Sequence, residues 1–134
     1  MNVYISNQIR EEVKVRAGHV CEYCLLHEKL SFFTHEIDHV ISLKHGGSNE
    51  SDNMAYSCSL CNRNKGSDIG SLFERTYTRF FNPRLDQWKD HFFLEEGVIN
   101  PITPIGEVTV KILQINSFER IIERRAFAEA GLYP

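Results

Sequence analysis

The chain has no apolar run near the ~18 residues that a membrane-spanning helix requires. Its first residues, MNVYISNQIREEVKVR, turn charged too soon for the apolar core of a signal peptide, so the expected compartment is the cytoplasm. No repeat and no low-complexity segment is visible. Positive charge is not in excess either: the formal net charge is −3, which argues against a protein that coats nucleic acid through bulk charge. What remains is an ordinary globular composition, 42% hydrophobic over 134 residues, enough for one domain spanning 1–134. Four cysteines stand out in it, and in a reducing compartment they point to metal binding or reactivity before disulfides.

Those cysteines form two pairs of equal spacing, Cys21-Glu22-Tyr23-Cys24 and Cys58-Ser59-Leu60-Cys61. Two thiolates separated by two residues reach one metal from a tight turn, and two such pairs make a closed soft-ligand set suited to structural zinc. Two disulfides or a redox dithiol are the competing readings. The interval between the pairs is longer than in a compact zinc ribbon, so the metal would clip together the ends of an inserted segment.

That segment contains His35-Glu36-Ile37-Asp38-His39, which matches the H-E-x-x-H pattern of zinc peptidases. The pattern works only on a helix, where both histidines share a face. Here the flanks, Phe32-Phe33-Thr34 and Val40-Ile41, favour strand. On a strand the useful pair is Asp38, a hard oxygen ligand, with His39, an imidazole able to take a proton near neutral pH. Asn62, directly after Cys61, offers a second ligand from a following helix, and Lys65, one turn on, shares its face and could hold a phosphate. His35 lies two residues from Ile37 and four from His39, on the same strand face. It is either an extra ligand, a group that positions substrate, or a packed histidine.

The order Asp38-His39, Gly46-Gly47, Asn53, Cys58-x-x-Cys61-Asn62-x-x-Lys65 resembles the HNH endonuclease family, in its zinc-clipped CxxC…CxxC bacterial branch. The resemblance implies an α+β fold with a ββα-metal core and a structural zinc. It also implies hydrolysis of phosphodiester bonds in DNA, with double-stranded DNA as the expected partner. His39 would then be the general base, and Asp38 and Asn62 would hold one divalent ion, Mg2+ or Mn2+ with Ni2+ or Zn2+ as further options. Asn53 would orient His39 through the loop backbone. The chain departs from the family pattern at Ser42, where proline is common, and at Asn62, where histidine is common. The alternative function is a zinc-stabilised nucleic-acid-binding module with little catalysis. A homodimer would suit double-strand cutting.

Outside the core, taken as about 19–68, the reading is coarser. An amphipathic helix from Asn7 to Ala17 follows a Ser6 cap, with Ile9 and Val13 on its apolar side. Two short strands are expected between Leu30 and Leu43. Ser51-Asp52 is expected to cap a helical turn carrying Met54 and Ala55, and a helix to start near Leu60. The brace, about 69–134, is expected to open with a helix from Ser71 to Arg79 and a turn at Phe81–Arg84. A hairpin with Glu95-Glu96-Gly97 at its tip follows. A Thr103-capped helix would then run to about Gln114, and a Ser117-capped helix to about Ala130, burying Phe118, Ile121, Ile122 and Phe127. Six basic residues between Ser59 and Lys89 (Arg63, Lys65, Arg75, Arg79, Arg84, Lys89) outnumber three acidic ones, a local +3 that is either a nucleic-acid-facing surface or a solvated face.

Overall fold

A computed structural model describes residues 5–134. Helix α1 (Asn7–Arg16) begins where expected, the Ser6 hydroxyl accepting from the Ile9 amide at 3.2 Å. Its Val13 is fully buried and packs with Ile5, Met54 and Tyr56. Two antiparallel strands follow, β1 (Glu36–His39) and β2 (Met54–Ser57), then helix α2 (Ser59–Lys65). The register sets Ile37 against Tyr56 and Asp38 against Ala55. Since side chains alternate across a strand, Ile37 and Tyr56 meet α1, while Glu36 and Asp38 face α2.

The β-β-α order stands, but the second strand is not where the sequence suggested. Only one strand lies between Leu30 and Leu43, and Met54–Ala55 belong to β2 instead of a helical turn. The connection from His39 to Met54 contains short 3-10 turns at Leu43–His45 and Ser51–Asn53. Asn53 ties this loop down: its side chain accepts from the Ile41 amide and donates to the carbonyls of Ile41 and Ser48, each at 2.9 Å. The double glycine serves the same closure. Gly46 has φ 87°, and a Cβ on Gly47 would lie 1.7 Å from the Ile41 carbonyl oxygen.

Residues 71–79 form no helix. They are a hairpin, β3 (Gly70–Phe73) and β4 (Thr76–Arg79), joined by Glu74 and Arg75, both at positive φ. That is the backbone of a tight two-residue hairpin turn. The strand preference of Leu72-Phe73 and Tyr77-Thr78 outweighs the helical pattern seen in sequence. The next hairpin, β5 (Phe92–Glu95) and β6 (Val98–Pro101), is as expected, with Gly97 at φ 80° in its turn.

Helix α3 (Pro104–Ile112) starts with Thr103 accepting from the Gly106 amide at 3.1 Å and proline at its first position. Its Thr109 hydroxyl accepts from the Phe81 amide at 2.8 Å, which fixes the turn after β4 to the helix. Helix α4 (Phe118–Glu129) has the expected span and an inner face that is only half as expected: Phe127 packs against the core and Ile121 is half-buried. Phe118 is 75% exposed and Ile122 45%, while Arg120 and Arg124 are buried. Arg124 donates to the Gly97 carbonyl at 2.7 Å and to Asn116 at 2.9 Å, bonds that only a long cation can supply from this face. Near the end of the chain the Tyr133 hydroxyl donates to the Cys24 carbonyl at 2.6 Å, so the tail closes on the first cysteine turn. Among the described residues no helix is long and apolar enough to cross a membrane.

Candidate metal centre and nuclease site

The four cysteines come together. One sulfur from each of Cys21, Cys24, Cys58 and Cys61 lies within 4.8 Å of the others, and all four residues are buried. The sulfurs of Cys24 and Cys58 are 3.7 Å apart, close to the roughly 3.8 Å edge of a tetrahedral zinc–thiolate site with ~2.3 Å bonds. Each pair sits on a turn that aims an amide at its first sulfur: the Cys24 amide at Cys21 at 3.5 Å, and the Cys61 amide at Cys58 at 3.4 Å. Cys58 is also the cap of α2, so the helix starts at the metal site. The donor set and its geometry fit a structural zinc.

Arg120 of α4 completes this site, and the sequence reading missed it. Its guanidinium reaches Cys61 Sγ at 3.1 Å and Cys58 Sγ at 3.8 Å, and it also donates to the Leu113 carbonyl at 3.0 Å. Burial opposes its charge, yet the neighbouring Cys61, Cys24 and Cys58 raise its pKa above the ordinary arginine value. Burial likewise pushes the Cys21 and Cys61 thiols up, while bonding from Cys21 and the other sulfurs draws Cys24 and Cys58 down. A buried cation beside two sulfurs suits a cluster that carries negative charge once it holds zinc.

The His35–His39 pentad is strand from Glu36 onward, so its histidines do not share a helix face and the peptidase geometry is absent. His35 itself is 4% exposed. Its Nε2 bonds the Leu26 carbonyl at 2.8 Å, and its ring lies 5.3 Å from that of Tyr56. It therefore packs the cysteine turn against the β pair.

His39 ends β1, half-buried, with Nε2 2.9 Å from Asn49 Oδ1. Its backbone is held on both sides. Lys65 Nζ donates to the His39 carbonyl at 2.9 Å, the Val40 amide donates to the Asn53 carbonyl at 2.9 Å, and the Asn53 side chain brackets Ile41. With Nε2 donating to Asn49, the Nδ1 lone pair is the one left to accept a proton.

Lys65 and Asp38 occupy the interior. Lys65 is 1% exposed and Asp38 3%. Lys65 Nζ donates to Asp38 Oδ1 at 3.1 Å and the Tyr23 hydroxyl to Oδ2 at 2.6 Å. Burial raises the Asp38 pKa, and the Lys65 charge with the Tyr23 bond opposes that shift. Lys65 thus holds Asp38 and the His39 carbonyl where a phosphate contact was expected, because the side chain turns inward from α2. Both Asp38 oxygens already carry a bond, one of them from an ammonium that would repel a second cation. The interior partner, Tyr23, carried no signal beyond its place between two cysteines.

Asn62 also differs from expectation in its partner. Its amide donates to Glu36 Oε2 at 2.9 Å, at the solvent end of β1, and no hydrogen bond joins it to Asp38. Arg63 is exposed on the same helix. The local excess of basic residues is largely spent within the protein: Arg79 pairs with Asp86 at 2.8 Å, Arg84 pairs with Glu22, and Lys65 is buried.

The geometry described here coincides with a match to a known family. The model of the HNH endonuclease family matches residues 21–68, from the first cysteine of the clip to just beyond α2. Over these residues the chain is similar to the HNH family, and its two clustered CxxC pairs agree with the branch whose core is clipped by such pairs. No curated protein and no solved structure matches the chain.

Proposed function

We propose that the chain is a metal-dependent endonuclease that hydrolyses phosphodiester bonds in DNA, with His39 as general base. The observation that carries this reading is the clamp on His39: Asn53 and Lys65 fix its backbone from two elements while its ring stays accessible. A catalytic base must be held within hydrogen-bond reach of the proton it removes, and a fixed backbone with an anchored ring meets that need. His39 Nδ1 takes the proton from the attacking water. Asn49 holds the ring, and Asn53 and Lys65 act as positioning residues that never touch substrate.

The groups that fit a hard divalent ion are Glu36 and Asn62. Both carry ligand oxygens, the Asn62 amide donates to the Glu36 carboxylate across β1 and α2 at 2.9 Å and so holds the two side chains together, and Glu36 is exposed. One or two protein oxygens with water and substrate phosphate completing the shell is the habit of Mg2+, and Mn2+ takes similar ligands. When bound, the ion would take a substrate phosphate at its open positions and neutralise part of its charge. Asp38 belongs, on this reading, to the interior clamp and not to the ion.

Plasmid nicking tests the proposal. Protein freed of exchangeable ions, with its zinc retained, should nick supercoiled DNA only when Mg2+ or Mn2+ is added back. Glu36→Gln should raise the Mn2+ concentration required by about tenfold or more. Absence of nicking under every ion, or nicking that ignores added ions, would overturn it.

A further inference from the structure

Two adjoining cavities lie beside the solvent end of β1; the His39 clamp uses neither, and the clip meets only the smaller one, through Cys58. The larger, about 770 Å³, is a polar groove between α1 and α2 lined by Arg10, Glu36, Asn62 and Arg63. The smaller, about 280 Å³, is a mainly apolar cleft between Leu30, Phe32, Phe33 and Leu60, with Arg63 and Glu123 at its polar side. They share Phe33, Ser59 and Arg63, so Arg63 and Phe33 stand at the junction.

The charges in the groove favour an anion. Glu36 is engaged by Asn62, whereas Arg63 makes no ion pair among the described residues and Arg10 spends only its Nε, on the Ile5 carbonyl at 3.1 Å. The aromatic edge is unusual in its exposure. Phe33 is 58% exposed and Phe32 95%, with the two rings edge to face at 5.1 Å. Rings left in solvent beside free cations are the pairing used to bind single strands, where bases stack on aromatics and arginines follow the backbone. In a duplex the bases are already stacked and offer only their edges, so an exposed ring finds a partner when a base is unpaired.

We propose that this groove and cleft bind an unpaired nucleic-acid strand, with Arg10 and Arg63 on its phosphates and a base against Phe33. The inference rests on the nuclease reading and extends it by naming the substrate class: DNA with a single-stranded segment next to the cut. Glu36 and His39 stand at opposite ends of β1, three residues or about 10 Å apart, and on opposite faces of the strand.

Fluorescence anisotropy on zinc-loaded, full-length His39→Ala protein tests this without cleavage, using a labelled oligothymidylate and a labelled duplex. The single strand should bind more tightly than the duplex. Adding Phe33→Ala should weaken single-strand binding by about tenfold, the weight of one stacked base, and duplex binding by less than about twofold. Phe33→Trp should restore it. Arg63→Ala should weaken both and lower the salt dependence. Equal loss for both nucleic acids, or no loss with Phe33→Ala while circular dichroism is unchanged, overturns the proposal. A Phe33→Ala change in oligomeric state without a change in strand affinity also overturns it, and assigns the patch to a protein partner. A protein that nicks plasmid yet shows no preference for single strands loses this inference and keeps the nuclease. One that binds strands through Phe33 and never nicks loses the nuclease alone.

Discussion

The cysteine clip and the strip between β1 and α2 share one short helix and solve opposite problems. Toward the clip, α2 offers Cys58 and Cys61 to a soft, closed, buried set with Arg120 sealing its outer side. Toward β1, the same helix offers Asn62 and Lys65. One end of that strip is locked, since Lys65, Asp38 and Tyr23 satisfy one another out of water. The other end, Glu36 with Asn62, is open. Closure separates the two kinds of work. Groups that are buried and mutually bonded hold the fold, and groups at the open end remain available to an ion or a phosphate. Sequence spacing alone put Asp38, Asn62 and Lys65 into one functional set, and the structure divides them by burial.

The comparison breaks most visibly at the clip. Removing the zinc with a strong chelator, or replacing Cys61 with serine, should abolish the cooperative thermal transition, because binding free energies of about 10 kcal/mol or more appear as folding energy in such sites. The strip's open end predicts the contrary for Glu36→Gln, whose melting curve should stay with the parent's. A zinc-free protein that melts like the holo form would put the clip outside the fold's energetics.

At the locked end the effect is smaller and still large. Lys65→Ala strands the Asp38 carboxylate and frees the His39 carbonyl, and loss of one partner from a buried pair costs about 3–5 kcal/mol. Denaturant titration should find that loss, with Lys65→Met closer to the parent at acid pH. The sign follows from Asp38: burial raises its folded pKa, so once Lys65 is gone the protonated form is preferred, and stability should fall as pH rises through the carboxyl's folded value. A Lys65→Ala protein as stable as the parent at neutral pH would mean the pair is not the lock described.

The smallest effect lies in the brace. The Arg79 bond holds the Asp86 carboxyl below its ordinary value of 3.8. A depressed acid contributes stability above that value and loses it as pH falls further. Arg79 is 44% exposed, so solvent screening limits the pair to about 1 kcal/mol or less. Asp86→Asn should lower the stability at neutral pH by about that amount and flatten the acid limb, so that the two proteins converge as pH falls.

Much of this molecule was legible in its residues, for reasons that can be named. The clip was readable because two pairs of equal spacing have few other uses, and α1, α3 and α4 announced themselves through Ser6, Thr103-Pro104 and Ser117. The β5–β6 hairpin carried Gly97 in its turn. Its neighbour, β3–β4, makes the same kind of turn from Glu74 and Arg75, which give no glycine or asparagine signal, so a helix was expected instead. Strand β2 was hidden by Ser51-Asp52, which do start a short turn, one that stops just before Met54. The inner face of α4 was read only in part, Ile121 and Phe127 correctly and Phe118 and Ile122 not, because apolar periodicity cannot register a buried arginine whose partners lie elsewhere in the chain. Lys65 failed in the same way, and His35 stayed open between three roles, because which way these side chains turn depends on tertiary partners, Asp38 and Leu26.

The division between a clip that folds and a histidine that reacts comes down to one protein made two ways. Wild type and His39→Ala should each bind one zinc and melt alike, while His39→Ala nicks plasmid at least about a hundredfold more slowly in Mn2+, the usual weight of a general base. Equal nicking rates from the two proteins, each carrying its zinc, would contradict the account.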